Sequence, residues 1–301
     1  MKRKAYEIVV DQIIKTIENN PSLQWKNPWS NGFPRNFVSK KPYRGFNFLV
    51  LTYIALLREY KHPYWLTFKQ TKDLGGAVKK GEKGTHIVFW KWLEIENEEG
   101  EIEKKIPFLR YYTVFNISQT TLKPPSTFQF TQKELNRIAI RNASRIVKNA
   151  KSKPQIKSSA KTYYDGASDV VHITPVFYTE TEIEWWASLF HEMIHSTGTH
   201  KRLNRKSFYD YDKNEYSRAF EEMVAEIGAN MLLALCGFKH EEFIKTQGAG
   251  YVNSWVRNFP QKKKAIILAA TQAQKAVDFI VGNTALITAE DIINEKEKIA
   301  A

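Results

Sequence analysis

The sequence predicts an α+β protein in two parts, a basic N-terminal α+β unit over residues 1–122 and a mainly helical unit with a small sheet over residues 123–301. Three observations carry the prediction. Alternating strand-like patterns cluster at residues 85–117 and 161–173, amphipathic segments flank both clusters, and Pro124-Pro125 among hydroxyl residues interrupts the periodicity at residues 120–127.

Taken in order, residues 4–18 and 46–60 carry helical spacing of apolar positions. Residues 85–95 and 105–117 read as paired strands around the acidic, glycine-containing turn 96–101. Beyond the break come a helix at 131–149, a polar basic loop at 150–158, and short strands at 161–164 and 170–173 joined through Asp165-Gly166. A helix then runs from a Thr181/Glu184 capping box to a stop at Gly198, and a second starts near Phe220. Residues 251–282 read as a helical pair around Pro260.

Composition bounds the function. With 301 residues, 43% hydrophobic and 26% charged, the chain can bury a substantial core. It has no apolar run long enough for a bilayer, and Met1-Lys2-Arg3-Lys4 leads into an amphipathic segment, so a cytoplasmic protein with no membrane partner is expected. The single cysteine, Cys236, excludes an internal disulfide and reads as a core residue. Of the net charge of +13, residues 1–125 hold +9, from 21 Lys/Arg against 12 Asp/Glu. A basic half with interleaved aromatics points to a polyanion, and the rings favour single-stranded nucleic acid, whose unstacked bases can lie on them.

The residues with the sharpest chemistry are His191-Glu192-Met193-Ile194-His195. Histidines four apart on a helix share a face and can share a metal, Zn2+ in this HExxH pattern, while Glu192 serves as general base on a metal-held water. The third ligand is not the metzincin histidine, because Lys201 occupies its position and His200 is one residue early. A second helix offers Glu222 and Glu226, four apart on one face, with Glu221 turned away. Glu222 is assigned as third ligand and Glu226 as the carboxylate that orients a ligating histidine, although the two can exchange roles and Glu222 could instead pair with Arg218. This is a gluzincin-like arrangement.

Other candidates are weaker. Arg35, Lys41 and Arg44 around Tyr43 have the cation-and-ring composition of a strand-tracking groove, and Lys79, Lys80 and Lys83 lie in a glycine-containing turn that could wrap phosphate. Trp25, Trp29 and Trp65 read as core, and His172 as structural. His200, Tyr209, Tyr211 and Tyr216 lie between the ligand helices and could each donate a hydrogen bond to an oxyanion.

These motifs carry a resemblance. Trp25-x-x-Pro28-Trp29, Tyr43-Arg44-Gly45-Phe46-Asn47, Trp65-Leu66-Thr67-Phe68, the Lys80-Gly81-Glu82-Lys83-Gly84 turn and Tyr112-Thr113-Val114-Phe115-Asn116 resemble the N-terminal single-stranded-DNA-binding domain of ArdC-type antirestriction proteins. The HExxH helix running into Thr197-Gly198, Arg202-Leu203-Asn204-Arg205 and Glu221-Glu222-x-Val224-Ala225-Glu226 resemble that family's zincin-like metallopeptidase domain. The resemblance implies a plasmid- or transposon-borne protein that binds single-stranded DNA in conjugation and protects it from restriction. It implies Zn2+ as cofactor and, as a further partner, a protein substrate or a component of a restriction system. The alternative is a non-catalytic DNA-binding protein whose zincin domain is structural or partner-binding.

Overall fold

The computed structural model describes residues 11, 32–96, 102–124, 131–238 and 262–287. Apart from helical Asp11, the helix expected at 4–18 lies outside them, as do Trp25, Trp29, the turn at 97–101 and residues 251–261. The chain divides into two compact units, one comprising residues 1–23 and 34–124 and the other residues 24–33 and 125–301. No helix of the described residues is long and apolar enough to cross a membrane.

Among the described residues, the first unit has a four-stranded sheet against a buried helix. Its strands are β1 (Arg35–Asn36), β2 (Tyr64–Thr67), β3 (Thr85–Glu96) and β4 (Ile102–Asn116), in the order β1-β2-β4-β3. β1 runs parallel to β2, and the other neighbours are antiparallel, with Thr85 opposite Val114 and a bulge at Ile95/Glu96. Helix α1 (Phe46–Leu57) starts at Gly45, whose φ of 56° favours glycine, and is apolar almost all round. Such a helix must be buried on several sides, and nine of its residues are. Leu51, Ile54 and Ala55 pack on Trp65, Ile87 and Val114, so Trp65 is core as its size suggested. The helix ends three residues earlier than its apolar pattern, because Arg58 and Glu59 turn the chain, Glu59 at a φ of 52°. β2 and the short α2 (Phe68–Asp73) carry no alternation of their own; Thr67 and Gln70 close a capping box between them.

The second unit is built around a central helix. In order come α3 (Gln132–Asn149), β5 (Gln155–Ser158), β6 (Tyr163–Asp165), β7 (Val170–Ile173), α4 (Glu182–Ser196), α5 (Lys206–Tyr209), α6 (Glu215–Cys236) and α7 (Lys262–Val281). The sheet order is β5-β7-β6, with β5 parallel and β6 antiparallel to β7. The segment expected as a loop at 150–158 therefore contains a strand. All four β5 residues are exposed, so it has no buried face to produce an alternating pattern. Helix α6 begins five residues earlier than expected, capped by Asn214, and stops at Gly237 in the left-handed region. It packs against α3, α4, α5 and α7. Cys236 is buried at its end, and burial raises its thiol pKa.

Candidate metal centre

Two helices bring the candidate ligands together. Thr181 accepts a hydrogen bond from the Glu184 backbone while Glu184 reaches back to the Thr181 backbone, which starts α4 and sets the phase that turns His191 and His195 to one side. α6 crosses α4 closely because Gly228 has no side chain; a Cβ there would lie 2.7 Å from Ile194 Cδ1. This contact draws the carboxylates of α6 onto the histidines of α4.

His191 Nε2 lies 3.1 Å from His195 Nε2, 3.3 Å from Glu222 Oε2 in turn, and Glu222 Oε1 lies 3.5 Å from His195 Nε2. Ligands held about 2.0–2.2 Å from a tetrahedral ion are about 3.3 Å apart, so these three donors could hold one cation with little rearrangement. The far ring nitrogens are engaged too. His191 Nδ1 faces Glu226 Oε2 and His195 Nδ1 faces Glu221 Oε1, each at 3.5 Å. Carboxylates in those places fix the ring tautomer and orientation that metal ligation needs. Glu192 is half-buried on the same helix, near enough to His191 and Tyr211 for its charge to act on both.

Carboxylates surround the two histidines. Burial opposes protonation of His191, but hydrogen bonds to Glu222 and Glu226 and the charges of Glu192 and Glu226 push its pKa up to about 10. Burial opposes ionisation of Glu222, yet the His191 hydrogen bond and the charges of His195 and His191 hold its carboxyl down to about 2. A proton on His191 thus occupies the place in the charge balance that a cation would take.

Of the expected residues, His191, His195, Glu222 and Glu226 come together, with Glu226 also accepting from Asn230 at 3.4 Å. Arg218 pairs with Asp212 at 3.4 Å, leaving Glu222 to the histidines. Among the four candidate donors, Tyr211 alone touches a candidate ligand in the described structure: its hydroxyl donates to Glu222 Oε1, and its ring meets His195 edge-on. His200 stacks on Tyr209 and Tyr216 on Phe220, while His172 stacks on Tyr163.

Spacing alone assigns no role in the site to Glu221 or Arg205. Glu221 is fully buried, and the reading that it turns away is corrected because α6 is packed on several sides. Arg205 donates to Glu221 from Nε at 3.1 and 3.2 Å and from Nη2 at 2.5 Å, and Ser207 adds a bond of 2.6 Å. The same guanidinium donates to Thr197 Oγ1 at 2.5 Å and to the Ile194 carbonyl at 2.8 Å, tying the end of α4 to α6. Burial raises the Glu221 pKa, but the His195 hydrogen bond and Arg205 outweigh it and hold the group at about 2.

The basic candidates of the first unit lie on two separate loops. Arg35, Lys41 and Arg44 are exposed around the turn that Asn36 caps, whereas the Tyr43 ring packs on the core and its hydroxyl accepts from Asn36 at 3.1 Å. Lys79, Lys80 and Lys83 are exposed on the 79–83 loop, where Lys79 Nζ bonds the Ser118 carbonyl at 2.9 Å and the Lys83 carbonyl accepts from Arg58 at 2.8 Å.

Comparison with known proteins adds independent findings. Residues 3–115 match a family model described as the N-terminal domain of anti-restriction factor ArdC, and residues 141–272 match one described as a zincin-like metallopeptidase. The chain is similar to the crystal structure of antirestriction protein ArdC from plasmid R388 in its metal-free form, with 35% identity and a TM-score of 0.70 over 94% of this chain and 98% of that one. The Mn(II)-bound form matches at 34% identity and a TM-score of 0.68, over 95% and 100%. DNA primase TraC of Escherichia coli is 26% identical over 93% of this chain, which spans 27% of the primase's length.

Proposed function

The chain belongs to the ArdC family of antirestriction proteins, and on that premise we propose that it is an antirestriction protein of a conjugative element. Its residues 1–122 bind single-stranded DNA, and its residues 123–301 act as a metal-dependent peptidase. The observation that carries the second half is the convergence of His191 Nε2, His195 Nε2 and the Glu222 carboxylate at 3.1–3.5 Å, with Glu226 and Glu221 behind the rings. These three residues would hold a divalent ion. Two imidazoles and a carboxylate suit Zn2+, which is the metal we assign, although the similar R388 protein has been crystallised with Mn(II).

A divalent ion held by His191, His195 and Glu222 would lower the pKa of a water toward about 7 and polarise a carbonyl. Glu192 would accept a proton from water at the site and deliver it to the leaving amine. Glu226 and Glu221 hold the imidazoles with Nε2 inward, and Tyr211 supplies a hydroxyl at the rim. For the first unit, the exposed cations Arg35, Lys41, Arg44, Lys79, Lys80 and Lys83 supply backbone contacts. Tyr43 positions its neighbours instead of stacking on a base, because its ring is packed on the core.

Metal content decides the site. Purified protein should carry one equivalent of divalent ion by elemental analysis, and His191→Ala with His195→Ala should carry none; an unchanged content would refute the assignment. Glu192→Gln, which keeps the ligands, then separates a peptidase from a DNA-binding shield. Loss of protection against restriction assigns the chemistry a role, whereas full protection with metal and DNA binding retained leaves the domain a non-catalytic one.

A further inference from the structure

The charge count places most of the basic excess in the first unit, yet the densest basic stretch lies in the second. Between Glu134 and Asp165 the sequence holds eight Lys/Arg and no carboxylate. Helix α3 sorts five cations onto one side. Ala139, Ala143 and Ile146 face inward and are fully buried, and Asn142 is anchored to the Cys236 carbonyl at 3.2 Å. Lys133, Arg137, Arg141, Arg145 and Lys148 are all exposed. At about 100° per residue these five positions fall within roughly one-third of the helix circumference. Neighbours are one turn apart, and the row runs about 22 Å along the helix at about 1.5 Å per residue.

A glutamate one turn away would stabilise surface arginines at this spacing. Here, among the described residues, none of the five enters an ion pair or donates a side-chain hydrogen bond. The helix's own acid, Glu134, is turned back to Thr131 in the capping box. Unpaired like charges one turn apart oppose helix formation, so the row is costly unless an anion faces it. A protein partner would need an apolar anchor, but none of the exposed large hydrophobic residues lies on α3; Ser144 lies among the cations. Three of the five are arginines, whose planar donors match phosphate oxygens.

We infer that the outward face of α3 binds a nucleic-acid phosphate backbone, so that the zincin-like unit has a DNA contact of its own. The inference rests on the reading that the chain works on DNA. The row contacts backbone, not bases, so it holds DNA without sequence preference. Its consequence is functional: it brings the metal-bearing unit to DNA directly.

The test uses the full chain with Arg137→Gln, Arg141→Gln and Arg145→Gln combined. All three side chains are exposed, so the far-ultraviolet circular dichroism should not change. Binding to a long labelled single strand and to a duplex of equal length is followed by fluorescence anisotropy over a range of salt. Each lost contact removes about 0.7 from the salt slope on single strands and about 0.9 on duplex. The expected result is a slope lower by about 2, with affinity down at least 10-fold on the preferred form. An unchanged slope and affinity on both forms overturns the inference. So does a variant that loses only the capture of an acidic protein. A parallel Lys79→Gln, Lys80→Gln, Lys83→Gln variant separates the failures. If that one weakens and the α3 variant does not, the inference fails and the N-terminal reading stands. If neither changes, both fail.

Discussion

Glu221→Gln tests the buried network most directly. The substitution keeps the shape and one acceptor oxygen but removes the charge, leaving an Arg205 side chain that is 3% exposed beside a neutral amide. Breaking a buried ion pair by removing one partner costs about 3–5 kcal/mol, and the retained acceptor places the expected value near the lower end. A second route gives the same size. The Glu221 pKa is lowered from 4.5 to about 2, and a shift of that order corresponds to roughly 3 kcal/mol of interaction with the ionised form. Since a domain is stable by about 5–15 kcal/mol, this loss should be plain in urea unfolding of chelator-treated protein, followed by tryptophan fluorescence and fitted to two transitions. Arg205→Met alone should cost a similar amount, because it leaves the buried Glu221 carboxylate without its guanidinium. The double variant should cost much less than the sum, since neither charge is left alone. His195 Nδ1 then faces a neutral amide in place of a carboxylate, so metal affinity should fall about 10–100-fold in Glu221→Gln. A cost below about 1 kcal/mol, or a double variant equal to the sum, would refute the reasoning.

Gly228→Ala should destabilise the second unit by about 1–3 kcal/mol despite its better helix propensity, because the new Cβ meets buried Ile194; adding Ile194→Val, which removes the nearest atom, should restore part of the loss in the same unfolding assay. Tyr211→Phe removes the hydrogen bond to Glu222 without touching a ligand, and should weaken metal binding by about 10-fold in a competition titration while leaving stoichiometry at one. Metal-free protein should have a narrow pH optimum. Glu221 and Glu222 have lowered pKa values of about 2, so their stabilisation is present above their ordinary 4.5 and lost as pH falls toward 2. His191 is raised from 6.5 to about 10, so its contribution is complete below 6.5 and lost as pH rises through 10. Thermal unfolding in chelator should show both limbs, and saturating divalent ion should flatten the alkaline one; a metal-free protein that loses no stability as pH rises from 6.5 to 10 would contradict the placement of His191.

How much of this was legible depended on the range of the interactions. The HExxH helix could be read because its signals are local: Thr181 and Glu184 cap it, and His191 and His195 share a face by spacing alone. Glu222 and Glu226 were found by the same rule, four apart on one side of α6. That rule assumes one buried face. α6 packs against four helices, so the side of Glu221, taken as turned away, is the most deeply buried of the three carboxylates. Its partner Arg205 is 16 residues away across a loop, where no periodicity applies. β5 was missed for the opposite reason, since a strand with every residue exposed leaves no alternation to detect. Both failures have one cause, that burial pattern reports the number of packed sides and not the backbone conformation. A carboxylate beside a proposed ligand on a helix packed all round should therefore be assigned by its partners. Glu221 has Arg205, Ser207 and His195, and together they make it the structural anchor of the site.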